Sequence, residues 1–189
     1  MLQKRKALRL AGYNYATPGA YYITICTHGR KSIFGMIEDR TMNLNDYGRI
    51  VEKCWFNLPD HYPNIQLGEW IIMPNHIHGI IEIVTVGAGS QTLPNVGAGL
   101  QSLPIVRAGL KPAPTTKKHH GIPEIVRAFK TFSSRHINKL RNTPGTPVWQ
   151  RNYFEHIIRN KKSMQQISNY IRNNPLHWSG DDQCKPDIW

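Results

Sequence analysis

Two β-branched, apolar runs meet at Pro74-Asn75, and this break constrains the fold more than any other feature of the chain. The first run spans Ile65 to Met73, and the second spans His76 to Val84. Proline and asparagine favour turns, so we expect the two runs to pair as antiparallel strands or to form one bent strand. Because side chains alternate along a strand, His76 and His78 are predicted to share one face of it.

The His76-Ile77-His78 triplet indicates a possible metal site without establishing one. Ile77 is expected to face the core, whereas the two imidazoles lie about 7 Å apart along the backbone. Two imidazoles at this spacing can share one metal ion. Such a pair also occurs by chance, and metal sites need three or four ligands. A metal-dependent enzyme and a small basic domain of another kind both stay open on this pattern alone.

Length, cysteine content and hydropathy exclude several protein classes. The 189 residues suit one domain with enough length for a core. The three cysteines are widely spaced and form no C-x-x-C pair, which argues against a disulfide framework and a thiolate zinc site. No apolar run is long enough to span a membrane, and Met1 to Arg9 lacks the apolar segment of a secretory signal. We therefore expect a protein of the reducing cytoplasm without membrane contact.

Positive charge dominates the chain. Lysine and arginine total 24 against 12 aspartates and glutamates, a formal net charge of +12. The excess is concentrated between Lys117 and Arg172, where Glu124 and Glu155 are the acidic residues. Such a field attracts polyanions, above all nucleic acid. A merely soluble basic protein is the alternative, but the aromatic and amide residues in the same segment favour nucleic-acid binding.

Residues 86–117 differ from the sequence on either side. Val-Gly-Ala-Gly or similar units recur every ten residues, at Val86, Val96 and Val106, and the stretch contains no acidic or aromatic residue. Such a segment cannot bury enough apolar surface to offset the entropy lost on ordering. We therefore expect residues 1–85 and 118–180 to form one domain, interrupted by a flexible insertion at 86–117 and followed by a tail at 181–189.

The remaining patterns predict an α+β domain. The expected elements are a strand at 20–27, a helix from Asn45 to about Leu58, the two strands around Pro74-Asn75, a helix at 122–140, an extended segment at 148–158 and a last helix at 163–173. Ser163 and Gln166 match a capping box for the last helix. This order of elements predicts a ferredoxin-like antiparallel sheet with helices packed on one face of it.

A tyrosine and an asparagine in the last predicted helix offer further chemistry. Tyr170 and Asn174 are four residues apart and therefore share a helix face. A phenol beside a divalent metal can attack a phosphodiester and form a covalent phosphotyrosine, and an amide oxygen suits Mg²⁺ or Mn²⁺. The same spacing also fits a Tyr170 that packs in the core and an Asn174 that only ends the helix.

Three segments together resemble the single-tyrosine HUH transposases of the IS200-like family, and within it the REP-associated tyrosine transposases. They are Met73–Gly79, Trp149–Arg159 and Tyr170–Pro175. The likeness extends from about Gly12 to Trp178 and leaves out the repeat-rich stretch. It implies a ferredoxin-like fold and an enzyme that cuts single-stranded DNA near hairpins, stays joined to the 5′-phosphate and leaves a free 3′-OH.

The resemblance also implies roles for individual residues. His76 and His78 correspond to the metal-binding pair, Asn174 to the polar metal ligand and Tyr170 to the nucleophile. Tyr153 is a rival nucleophile, although its extended segment favours packing. His156 is expected in the core or at DNA rather than on the metal.

The predicted function is a metal-dependent single-stranded DNA endonuclease and strand transferase. It acts at REP-like hairpin DNA through a covalent 5′-phosphotyrosine, with Mg²⁺ or Mn²⁺ as cofactor. The alternative is a domesticated protein that binds hairpin DNA without catalysis. A monomer and a homodimer are both compatible with the sequence, and the recognised DNA sequence is not encoded in these patterns.

DNA contacts are expected mainly from basic side chains. The candidates are Arg5, Lys6, Arg9, Arg127, Lys130, Arg135, Lys139, Arg151 and Arg172. The first three form a basic arm, and those on the 122–140 helix can track phosphates. Aromatic candidates for stacking on unpaired bases are Trp149, Tyr153, Phe154 and Trp178, each of which core packing explains equally well.

Overall fold

The computed structural model describes residue 10, residues 12–85 and residues 120–179. The predicted insertion at 86–117, the 181–189 tail and the basic residues Arg5, Lys6 and Arg9 lie outside these ranges. Among the helices of the described ranges, none combines the length and the apolar character that a membrane crossing requires.

Six strands and four α-helices make up the described fold. They are β1 (Gly19–Cys26), β2 (Gly35–Glu38), β3 (Thr41–Leu44), α1 (Asp46–Phe56), α2 (Leu58–His61), β4 (Ile65–Met73), β5 (His76–Ile83), α3 (Ile122–Leu140), β6 (Phe154–Ile158) and α4 (Lys161–Asn173). Short 3-10 turns cover His28–Arg30 and Asn174–His177. The main sheet has the strand order β4-β5-β1-β6, and every neighbouring pair is antiparallel.

The main sheet confirms the α+β prediction and its ferredoxin-like arrangement. Pro74-Asn75 is a two-residue turn that joins β4 to β5, with Met73 paired to His76 directly across it. The antiparallel interpretation of this break is therefore correct. The small β2–β3 hairpin, by contrast, was not predicted from the sequence.

Helices cover both faces of this sheet, which corrects the expectation that they pack on one face. α1 and α3 bury the side that carries Tyr21, Ile23 and Ile77. α4 packs on the opposite side, where its Ile167 and Ile171 contact a second cluster. The reason is that β1 and β5 carry apolar side chains on both faces of the sheet. Helices on one face alone would leave the apolar side chains of the other face exposed to water.

Gly79 allows the core to approach β5 closely. A Cβ atom at this position would lie 2.4 Å from Cζ2 of Trp55, far inside van der Waals contact. Trp55 is fully buried and packs edge-on against Phe129 of α3. Because Gly79 has no side chain, the indole of Trp55 packs directly against β5, on the face opposite the two histidines.

Asn160 caps α4, and the predicted Ser163–Gln166 capping box is wrong. The Asn160 backbone is extended, with φ −152° and ψ 163°, and its side chain accepts a hydrogen bond from the Ser163 N–H at 2.8 Å. Ser163 therefore lies within the first turn and contributes its backbone donor rather than its hydroxyl. The helix begins at Lys161, two residues before the predicted start.

The cap assignment predicts unequal effects of two alanine substitutions. Asn160→Ala removes the acceptor for an otherwise unsatisfied helix N–H and should lower the free energy of unfolding by about 1 kcal/mol. Ser163→Ala is the matched control and should change it by less than about 0.5 kcal/mol. Urea denaturation monitored by circular dichroism measures both values. A larger loss for Ser163→Ala than for Asn160→Ala would contradict the assignment.

Candidate metal and nucleophile site

The two histidines lie side by side on the face of the sheet that α4 covers. His78 pairs with Thr24 of β1 and His76 pairs with Cys26, while Ile77 between them joins the core on the other face. Both imidazoles are buried, and their Nε2 atoms are 3.0 Å apart. The prediction that His76 and His78 share a face is therefore confirmed.

The Asn75 side chain determines which nitrogen of His76 carries a proton. The Asn75 amide nitrogen donates to the backbone carbonyl of Arg30, so its Oδ1 atom faces His76 Nδ1 at 2.6 Å. An amide oxygen only accepts hydrogen bonds, so His76 Nδ1 must be the donor. In the neutral ring this leaves Nε2 with a free lone pair.

Two hydroxyls contact the outer nitrogen of His78. Its Nδ1 atom lies 2.8 Å from Thr24 Oγ1 and 2.8 Å from the Tyr22 hydroxyl. The Thr24 hydroxyl donates its one proton to Tyr22, at 3.1 Å, and can only accept from His78. The Thr24 contact is therefore a hydrogen bond when His78 Nδ1 carries the proton, and in that tautomer the Nε2 atom presents a lone pair to the Nε2 atom of His76.

In that tautomer two lone pairs face each other at 3.0 Å, and they repel unless a proton or a metal ion lies between them. Neighbouring ligands of an octahedral ion with bonds of about 2.1 Å are about 3.0 Å apart, so the spacing suits a shared divalent metal. Burial, and secondarily the proximity of His76, lowers the pKa of His78 well below 6.5. A neutral imidazole is the form that ligates a metal, so the residues present fit the predicted ion.

α4 brings Tyr170 to this pair. Its ring centroid lies 5.3 Å from that of His78, and its side chain is only half-buried, which leaves it accessible to a substrate. Tyr22 is also adjacent to His78 but fully buried. Tyr153 packs against the core on the other face of the sheet. Of these three tyrosines, Tyr170 combines proximity to the histidines with access.

Asn174 continues the helical path one turn beyond Tyr170. Its backbone angles are φ −56° and ψ −42°, and it is 7% exposed, so it is a buried residue rather than a solvated helix end. Four residues later, the ring of Trp178 lies 6.1 Å from that of His76. In residues 12–85 and 120–179, no three His, Cys, Asp or Glu side chains cluster as a metal site.

Arg172 has a protein partner in the structure. Its Nε atom is 3.3 Å from Glu69 Oε1, and the pair joins α4 to β4. Both side chains are substantially exposed, so this contact contributes little to stability. Arg172 nevertheless lies on the same helix as Tyr170, two residues further along.

The basic candidates on α3, together with Arg151, lie on the opposite face of the sheet from the histidines. Arg127, Arg135 and Arg151 are exposed and line an open groove of about 1030 Å³ between α3 and residues 145–153. Lys130 lies in the same groove but donates to the backbone carbonyls of Gln150 and Arg151. Lys139 is exposed near the end of α3.

The aromatic residues that line this groove, Trp149 and Tyr153, pack in or against the hydrophobic core. Trp149 is buried and donates from its indole to Ser133, and it packs against Phe34 and Phe129. Core packing therefore accounts for Trp149, as it does for Tyr153. On the histidine face, Phe154 packs edge-on against Tyr22.

His156 lies on the histidine face but outside the pair. It pairs with Tyr22 across β1 and β6 and is half-buried, and burial is the main cause that lowers its pKa. Sequence reasoning missed Asn75, Tyr22 and Thr24 as partners of the histidines. The alternation along β1 does put Tyr22 and Thr24 on one face, but their link to His78 depends on strand register.

Comparison with known proteins agrees with this fold. The model of the family described as "Transposase IS200 like" matches residues 115–174. A protein of Haemophilus influenzae described as uncharacterized is 43% identical over 180 residues, which cover 95% of this chain and 93% of that protein. The chain belongs to the IS200-like transposase family. Membership supports a DNA transposase role, and the matched segment includes Tyr170 and Asn174.

Comparison with solved structures concerns the fold. A REP-associated tyrosine transposase bound to a REP hairpin superposes with a TM-score of 0.51 at 17% identity, covering 88% of this chain and 73% of that one. A transposase-like protein from Deinococcus radiodurans gives a TM-score of 0.45 at 16% identity, covering 87% of this chain and 95% of that one. The first likeness supports the IS200-like fold.

The lone-pair geometry predicts that Mn²⁺ stabilises the folded chain. At a concentration 100-fold above its Kd, an ion that binds only the folded state adds about 2.7 kcal/mol to the free energy of unfolding. His76→Gln should abolish this gain because it removes one of the two nitrogen ligands. His136→Gln, at an exposed position on α3, is the control and should retain it. Thermal melts with and without Mn²⁺ measure the effect, and an equal gain in both variants would refute the site.

Proposed function

We propose that this chain cuts and rejoins single-stranded DNA at hairpins through a covalent 5′-phosphotyrosine on Tyr170. His76, His78 and Asn174 are the proposed ligands of Mg²⁺ or Mn²⁺. The observation that carries the proposal is the pair of buried imidazoles, whose Nε2 atoms are 3.0 Å apart, next to an accessible tyrosine whose ring lies 5.3 Å from His78. Residues 1–85 and 118–180 are proposed as the catalytic domain.

The proposed step exchanges one phosphodiester for another. The Tyr170 hydroxyl oxygen attacks the phosphorus and loses its proton to water, while the P–O3′ bond breaks. The electron pair leaves with O3′, which takes up a proton and becomes a free 3′-OH. The bound divalent ion would neutralise the charge that develops on the phosphate oxygens. Because the tyrosine ester conserves the bond energy, a 3′-OH can reverse the step and rejoin DNA.

A half-buried tyrosine suits this role better than a fully buried one. α4 holds the Tyr170 ring against His78 and against the second core cluster, which fixes its direction. Its partial exposure leaves room for a flexible single strand, whereas a base-paired duplex is stiffer and wider. Hairpin DNA as partner is supported by the solved relative, which was captured with a REP hairpin.

Tyr170→Phe tests the nucleophile directly. The substitution removes one hydroxyl and keeps the ring that packs near His78, so it should abolish the covalent protein–DNA adduct while leaving DNA binding unchanged. The assay uses a labelled single strand that contains a hairpin, with Mn²⁺, followed by denaturing electrophoresis and mass spectrometry of the modified peptide.

Tyr153→Phe is the matched control, since Tyr153 lies on the other face of the sheet. It should form the adduct as the wild type does. An adduct that persists in Tyr170→Phe and vanishes in Tyr153→Phe would overturn the assignment. Salt-sensitive hairpin binding without any adduct in the wild type would instead favour a non-catalytic DNA-binding protein.

The basic groove between α3 and residues 145–153 is proposed to hold DNA backbone. Arg127 and Arg135 are exposed cations with no acidic partner in the part of the chain that the structure describes. Each phosphate contact contributes about 0.9 to the slope of log K against log salt for duplex DNA and about 0.7 for single strands. Arg127→Gln/Arg135→Gln should therefore reduce this slope by about 1–2.

Arg49→Gln/Lys53→Gln is the charge-matched control for the groove. Both residues are exposed on α1, so the variant loses the same net charge elsewhere on the surface. Fluorescence anisotropy with a hairpin oligonucleotide at several salt concentrations measures the slopes. Equal reductions in the two variants would mean that net charge, and not the groove, accounts for binding.

A further inference from the structure

We infer that Tyr22 and Thr24 are positioning residues that hold His78 in the tautomer able to bind a metal. The inference rests on the proposed metal role of the histidine pair and adds how the protein prepares one of its ligands. Neither residue contacts the expected ion, because both act on the far nitrogen of the ring, Nδ1.

The geometry of the three groups is that of a closed hydrogen-bonded triangle. Both hydroxyl oxygens are 2.8 Å from His78 Nδ1, and the Thr24 hydroxyl donates to the Tyr22 hydroxyl at 3.1 Å. The Thr24 proton is thereby committed to Tyr22, so the 2.8 Å contact between Thr24 and His78 is a hydrogen bond only when Nδ1 of His78 carries a proton. With the proton on Nε2 instead, Tyr22 can donate to Nδ1 but the Thr24 contact has no proton, so the triangle favours the tautomer protonated on Nδ1.

The surroundings make this arrangement rigid. Tyr22 is fully buried and Thr24 is 1% exposed, so water cannot replace either hydroxyl. The Tyr22 ring lies at 25° to the His78 ring with centroids 5.6 Å apart, and it is held by Phe154 on its other side. The backbone pairing of Thr24 with His78 places the threonine hydroxyl next to the imidazole.

The chemical character of these partners has a consequence for the two rings. A carboxylate on the outer nitrogen of a histidine raises the basicity of the ring as a ligand. Here the outer partners are two hydroxyls on His78 and the Asn75 amide on His76, and all of them are neutral. The neutral partners orient the two rings and, having no charge, raise their basicity less than a carboxylate would.

The first test measures Mn²⁺ affinity by the electron paramagnetic resonance signal of free Mn²⁺. Thr24→Val keeps the side-chain shape but removes the acceptor, and it should weaken binding by about 10- to 100-fold. Tyr22→Phe keeps the ring stack and should weaken binding less, because Thr24 remains. Thr24→Ser restores the hydroxyl and should recover most of the affinity, which a role in packing alone would not predict.

The second test observes the tautomer itself. Long-range nitrogen–proton NMR spectra of the metal-free full chain distinguish a proton on Nδ1 from a proton on Nε2. His78 should be protonated on Nδ1 in the wild type and should lose this preference in Thr24→Val. If Thr24→Val does not fold, Tyr22→Phe removes the other hydroxyl and should weaken the same preference to a smaller extent, with Thr24→Ser as the control that keeps both hydroxyls.

The outcomes separate this inference from the proposed function. If the wild type binds Mn²⁺ through the histidines, and the Thr24 and Tyr22 variants bind it equally well with an unchanged tautomer, the positioning role is wrong. If neither the wild type nor any variant binds Mn²⁺, the metal part of the proposed function fails. Weaker binding that Thr24→Ser rescues, with the expected tautomer change, supports the inference.

Discussion

The pairing of β1 with β5 is the contact on which the site depends. Its register puts Thr24 opposite His78, so that the hydroxyl of one strand reaches the imidazole of the other. Because side chains alternate, a slip of one residue would turn both histidines into the opposite core and bring Ile77 to the site. The turn at Pro74-Asn75, the tight approach of Trp55 to Gly79 and the burial of both faces all act against that slip.

The larger hydrophobic core lies on one face of the sheet, and the histidines and Tyr170 lie on the other. α1 and α3 close the larger core behind β5, while α4 closes the smaller one and carries Tyr170 to the histidines. The basic groove lies behind the sheet, on the α3 side, where its arginines cannot reach the same phosphate as Tyr170. Under the proposed function, DNA held in the groove and DNA at the site would be different parts of one substrate.

The sequence predicts the helices and strands that are specified by neighbouring residues, such as caps and alternating patterns. It does not predict features that depend on contacts between residues far apart in the chain. Asn45 was identified as the cap of α1 because its side chain bonds within its own turn. The sequence does not predict the β2–β3 hairpin, because its turn lacks the Asn-Gly pair that usually indicates one. Asp39 and Arg40 adopt the positive φ angles of the turn instead, at 48° and 60°. Thr24 and Tyr22 were missed since they meet His78 only through strand pairing, which spacing along the chain cannot reveal.

The central claim is that His76 and His78 hold one divalent ion between their Nε2 atoms. Anomalous diffraction at the manganese edge, from crystals of the full chain grown with Mn²⁺, tests it most directly. The account predicts one strong peak about 2.1–2.3 Å from both Nε2 atoms, with the amide oxygen of Asn174 as a further ligand. Crystals that bind Mn²⁺ only elsewhere, or a site in which a proton bridges the two rings and no ion is bound, would contradict it.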